Sequence, residues 1–132
     1  MRLEYDTYEG VINHFSWDEA WEYVDGSPES INATHECLDR HPPEKTALSV
    51  ATADGDRSRH TFGQLSDAAG QFANYLDDQG VKQGDRVAIM LNPSFAFVTA
   101  FFGAMKAGAV AVPCSELFGP DALQYRVDAA EP

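Results

Sequence analysis

The stretch from Arg86 to Pro113 constrains the fold more than any other part of this chain. Arg86 to Leu91 is a short apolar run and reads as a buried strand. Asn92 and Pro93 follow, residue types suited to a helix N-cap and first helical position. Ser94 to Ala107 then carries Phe95, Phe97, Val98, Phe101, Phe102 and Met105. Apolar residues on nearly every face describe a helix buried on most sides, so these phenylalanines are read as core. Gly103 and Ala104 would let another element approach closely. Gly108 stops the helix, and Ala109 to Pro113 is a second apolar strand. Strand, helix and strand with links this short make a βαβ unit. The strands are then parallel and the crossover right-handed, which sets the fold class as α/β.

The preceding segments fit that class. Thr61 and Gln64 form a capping box. Phe62, Leu65, Ala69, Phe72 and Leu76 follow at spacings of three and four, giving an amphipathic helix with one face on a core. Gly80 stands where a C′ glycine belongs. Upstream, Thr46 to Thr52 and Arg57 to Thr61 flank an Asp54-Gly55 turn and predict a β-hairpin. Asn32 to Arg40 predicts a helix stopped by Pro42 and Pro43. Trp17 to Val24 predicts a short helix, capped by Ser16 with Glu19 three residues on. Pro120 opens a last helix reaching about Ala130. The expected organisation is an N-terminal extension over 1–30, holding N-terminal helical structure, and a partial domain over 31–132. It is partial because parallel sheets are normally extended and covered by further βα units. Here the last helix has no strand after it.

Charge narrows the function classes. Acidic residues number 21 against 9 basic ones, a net charge of −12, and they are spread along the chain. Such a surface repels itself in ordinary salt. In molar salt the screening length falls to about 3 Å. Salt adaptation is therefore expected. Nucleic-acid binding needs a basic face and is not expected. The N-terminus shows no basic-then-apolar signal, and Asn92, Pro93 and Lys106 break the longest apolar region. The expectation is a cytoplasmic protein without membrane association. Cys37 and Cys114 make no disulfide framework. His35, Cys37 and His41 lack the further cluster that zinc requires, so Cys37 is read as a buried thiol beside surface histidine. Asp54-Gly55-Asp56 is no calcium loop, because its twelfth position is Leu65. Arg57, Arg59 and His60 are read as strand-surface charge.

A family resemblance rests on motifs in order. His60-Thr61-Phe62-Gly63-Gln64-Leu65 leads on to Phe72-Ala73-Asn74-Tyr75-Leu76. Gly80-Val81-Lys82-Gln83-Gly84-Asp85-Arg86-Val87-Ala88-Ile89 is next, and Lys106-Ala107-Gly108-Ala109-Val110-Ala111-Val112-Pro113 is third. Together they resemble the N-terminal part of AMP-forming acyl-CoA synthetases, in the adenylate-forming ligase superfamily. Leu117-Phe118-Gly119-Pro120-Asp121-Ala122-Leu123 and Tyr125-Arg126 look closest to the acetyl- and medium-chain acyl-CoA branch.

That resemblance implies an N-terminal sub-domain of a larger enzyme that adenylates a carboxylate with ATP and passes the acyl group to CoA. ATP, magnesium and CoA would be ligands of the full-length protein, with none assigned to this segment. The family's Ser/Thr/Gly-rich phosphate loop, its magnesium-binding Thr-Glu pair and its late catalytic Lys have no counterpart here. No catalytic residue and no metal ligand is assigned. Ser115 to Gly119 follows the C-terminal end of a parallel strand, the edge where open α/β sheets bind ligands. Ser115, Phe118 and Gly119 are the candidate cofactor-side residues, facing CoA in a full enzyme. The implied partner is the missing C-terminal part of the synthetase. The alternative is a non-catalytic remnant or interaction module docking on a separately encoded segment.

Overall fold

The computed structural model describes residues 7–132. Its elements run α1 (Tyr8–His14), α2 (Trp17–Trp21), a π-helical turn (His35–Asp39), β1 (Thr46–Ala51) and β2 (Arg57–Thr61). They continue with α3 (Phe62–Asp78), β3 (Arg86–Met90), α4 (Phe95–Lys106), β4 (Val110–Cys114) and α5 (Pro120–Ala130). β1 and β2 pair antiparallel. β3 and β4 pair parallel and in register from Arg86↔Val110 to Met90↔Cys114. The mixed architecture is the expected one, a hairpin followed by a parallel βαβ unit.

α3 is the central strut. Thr61 Oγ1 accepts from the Gln64 N–H, and the Gln64 side chain accepts from the Thr61 N–H, closing the capping box. At its other end Gly80 takes φ +86°, the left-handed conformation that only glycine adopts without strain. Leu65, Ala69 and Leu76 bury the apolar face. Leu65 and Ala69 pack with Leu38, Phe62, Phe95, Val98 and Phe102. Leu76 packs with Ala104, Ala109, Phe72 and Val87.

The structure corrects several boundaries. α1 was not foreseen. α2 ends at Trp21 rather than Val24. The Tyr23 carbonyl accepts from Arg40, and the Asp25 N–H bonds Glu36, so tertiary partners draw the chain out of the helix. Residues 35–39 wind as a π turn, with the Arg40 N–H bonding the His35 carbonyl. This wider turn places Leu38 in the core while Asp39 reaches Ser66 and Lys106. Cys37 then faces out, so the expectation of a buried thiol at that position fails.

At α4 the cap is Ser94, not Asn92. Ser94 Oγ accepts from the Phe97 N–H at 3.2 Å, which leaves Pro93 outside the helix. The fully buried positions of α4 are Ala100, Gly103 and Ala104, whereas its phenylalanines are only partly buried. Small side chains let α3 and α4 approach closely, and the large rings flank that contact.

Arg86 ties the first strand of the βαβ unit to the last helix. Its Nε donates to the Ala130 carbonyl at 2.7 Å and its Nη2 to the Glu131 carbonyl at 2.6 Å. A cation on otherwise open C-terminal carbonyls also suits the helix dipole. Arg86→Ala is expected to cost about 1.5 kcal/mol and to speed amide exchange over the last turn of α5. Unchanged exchange there would show that the contact holds nothing in place.

Candidate functional site

β3 and β4 end side by side at Met90 and Cys114. The segments that follow them enclose an open cavity of about 550 Å3. Its walls are Leu91, Pro93, Phe97, Pro113, Leu117 and Phe118, with Asn92, Cys114, Ser115 and Glu116 between them. Parallel register puts both strand ends at the same level, which is why two distant loops share one cavity.

Ser115 organises the loop after β4. Its Oγ accepts from the Leu117 N–H at 3.2 Å, and its carbonyl accepts from the Phe118 N–H at 3.1 Å. The Arg126 guanidinium lies 3.7 Å from the Phe118 ring centroid. Cys114 is 5% exposed and donates its S–H to the Val112 carbonyl. Of the residues proposed from the sequence, Ser115 and Phe118 line the cavity. Gly119 is not among its walls; it is the N-cap residue of α5. Leu91, Pro113, Cys114 and Leu117 were not singled out in advance, and Phe97, in the first turn of α4, was read as core rather than as a pocket wall. For the first four the available signal was their position at or just beyond the ends of two neighbouring parallel strands.

Chemically, the cavity suits an apolar or lightly polar group. No lysine or arginine is among its walls, and Glu116 is there instead. The residues present do not fit the phosphates of a nucleotide, which need clustered N–H donors or cations. No step through ATP or magnesium is assigned to this segment.

A second polar cluster joins the N-terminal region to the π turn. Asp25 Oδ2 is 2.8 Å from His35 Nε2, and Asp25 Oδ1 is 3.2 Å from Arg40 Nη2. Glu36 pairs with Arg40 Nη1 and accepts the Asp25 N–H at 2.7 Å and the Gly26 N–H at 3.1 Å. Among the described residues, Asp25, His35 and Glu36 are near enough together to invite a metal. Arg40 already neutralises both carboxylates, so a cation would have to displace it. Cys37 and His41 are not part of this group. His41 is hydrogen-bonded to the Glu36 carbonyl and stacks on Phe62.

The hydrogen bond from His35 leads in holding the Asp25 carboxyl below its ordinary value, with the charge of Arg40 adding to it. Burial pushes Glu36 up, but its bonds from Arg40 and the Asp25 N–H prevail and lower it. Burial likewise pushes Asp39 up, and its bonds from Ser66 and Lys106 bring it below the usual range. For groups lowered in the folded state, the stabilisation is complete above the unfolded value and lost as pH falls through the folded one. Acid unfolding is therefore expected to begin below about pH 4. In Arg40→Met the loss should begin at higher pH. An onset identical to wild type, followed by circular dichroism, would exclude a role for the cluster.

The comparisons with known proteins agree with this architecture. The model of the AMP-binding enzyme family matches residues 35–132. The chain belongs to that family and forms part of the N-terminal region of the adenylate-forming ligase fold. Its curated relatives include acetyl-coenzyme A synthetases. It is 35% identical to the enzyme of Pasteurella multocida over 105 residues, covering 77% of this chain and 16% of that one. It is 32% identical to the enzyme of Bacillus subtilis over 130 residues, covering 94% and 23%. The crystal structure of a Brucella canis acyl-CoA synthetase superposes with a TM-score of 0.87 at 31% identity, covering 96% of this chain and 24% of that chain. ATP-bound MatB from Rhodopseudomonas palustris gives 0.63 at 29% identity over 76% of this chain and 20% of its own. The chain thus spans less than a quarter of each of these relatives. Among the described residues, no helix is long and apolar enough to cross a membrane.

Proposed function

We propose that this chain is the N-terminal part of an AMP-forming acid–CoA ligase of the acetyl- or medium-chain type. Such an enzyme joins a carboxylate to AMP using ATP and magnesium, then transfers the acyl group to CoA. The observation that carries this reading is the identity with acetyl-coenzyme A synthetases, which extends through the hairpin, α3 and the βαβ unit. The apolar cavity after β3 and β4 supports a place beside the CoA thiol arm, with Ser115 and Phe118 as its contacts. The absence from the sequence of a phosphate loop and a late catalytic lysine supports inactivity of this segment by itself. The remainder of a synthetase is then its partner. It would cover the open parallel sheet, where Met90, Leu91 and Val110 are exposed. A cytoplasmic, salt-adapted setting fits the acidic surface.

The test is acid-dependent ATP–pyrophosphate exchange in molar KCl, with acetate, butyrate and octanoate. The chain by itself is expected to give none. Grafted in place of the matching segment of the Bacillus subtilis enzyme, it is expected to support exchange and CoA acylation. Exchange by the isolated chain would place a nucleotide site within it and overturn the inactive-segment reading. A folded graft that adenylates nothing would favour the interaction module instead.

A further inference from the structure

The loop between β4 and α5 puts Phe118 in the cavity wall. Ser115 pins the backbone of the turn by accepting from the Leu117 and Phe118 N–H groups. Leu117 beside Phe118 is 94% exposed. The Phe118 ring rests against the Arg126 guanidinium, 3.7 Å from its centroid. Arg126 is itself oriented by donating Nη1 to the Ala122 carbonyl at 2.9 Å, one turn back along α5. Gly119 caps α5 with no side-chain bond, and α5 has no fully buried residue. The stack therefore links the Phe118 ring to the helix that follows it.

We propose that Arg126 is a positioning residue for the cavity: by stacking on Phe118 it holds that ring as the wall between the cavity and solvent. This rests on the reading of the cavity as a ligand site of the synthetase, and it names what keeps that site closed on one side. A guanidinium over an aromatic face favours the stacked arrangement on the order of tenfold. Arg126 does not line the cavity, so it acts through Phe118 rather than on a ligand.

Cys114 supplies the readout. Its thiol is 5% exposed and lies in the same cavity lining as Phe118. Cys37, the exposed thiol, is first removed as Cys37→Ser. The rate at which a neutral maleimide labels Cys114 is then measured by mass in molar KCl, with the thermal midpoint recorded alongside. Arg126→Gln is expected to speed labelling about tenfold with little change in midpoint. Phe118→Ala should speed it at least as much, and the double variant no more than Phe118→Ala alone. Labelling of Arg126→Gln at the parent rate overturns the proposal. So does full additivity in the double variant, which would mean that Arg126 acts elsewhere. If Arg126→Gln fails to fold, Arg126→Lys decides, because it keeps the charge but loses the planar stack; it too must label faster. The assay contains no substrate. An active graft whose labelling does not respond to Arg126 sinks the positioning role alone, and a responsive cavity in an inactive graft sinks the ligase reading alone.

Discussion

Raising KCl from low to molar concentration is expected to stabilise this chain by on the order of 3 kcal/mol, moving its thermal midpoint up by about 10 °C. The cause is visible in the pairing of its charges. The chain carries 21 acidic residues against 9 basic ones. Among the described residues, ion pairs engage Asp25, Glu36, Asp39 and Asp77 as acids. The Lys82–Asp77 pair is long, at 3.8 Å, and both side chains are mostly exposed. Such a pair adds little. The excess of carboxylates over cations leaves a net repulsion through solvent, and salt screens it. Potassium chloride is the appropriate salt, because sulfate would also strengthen apolar burial. A midpoint independent of KCl would show that the acid excess costs the fold nothing, and salt adaptation would fall with it.

Gly103→Ala is expected to destabilise the fold by about 2 kcal/mol, the cost of overpacking less the helix propensity that alanine restores. A Cβ at Gly103 would stand 2.8 Å from the Ala69 carbonyl oxygen and 2.9 Å from Phe72 Cδ1. The first is backbone in the middle of α3 and has nowhere to go. α3 and α4 would have to separate, loosening Ala104, Ala69 and the rings around them. Gly70 is the control. It also lies within α3, but a Cβ there meets nothing within 4 Å, so Gly70→Ala should stabilise by about 0.5 kcal/mol. Denaturant unfolding of the two variants gives the comparison. A neutral Gly103→Ala would mean that the helix contact is looser than these distances.

Much of the fold was legible in the chain because its determinants are local. The Thr61–Gln64 capping box, the Leu65–Ala69–Leu76 stripe and Gly80 all act within a few residues of one another. The hairpin followed from its Asp-Gly turn, and the parallel pairing from the short links of the βαβ unit. Even the position of the cavity was implied, since loops after parallel strands gather at one edge.

What escaped was decided by groups far apart in sequence. The cap of α4 is the exception, a local choice: Ser94 rather than Asn92 accepts from the Phe97 N–H three residues on. The early end of α2 depends on Arg40 and Glu36, which lie more than ten residues on. The π turn satisfies Leu38 in the core and Asp39 at Ser66 and Lys106, and so it turned Cys37 outward.

By itself, then, the sequence determined the α/β class, the order of elements from the hairpin onward and the family, because periodicity, caps and motif spacing are carried within short stretches. Only the tertiary structure decided the walls of the cavity, the stacking of Arg126 on Phe118 and the close crossing at Gly103. Those depend on distances between side chains, and such distances exist only after β3, α4, β4 and α5 have packed.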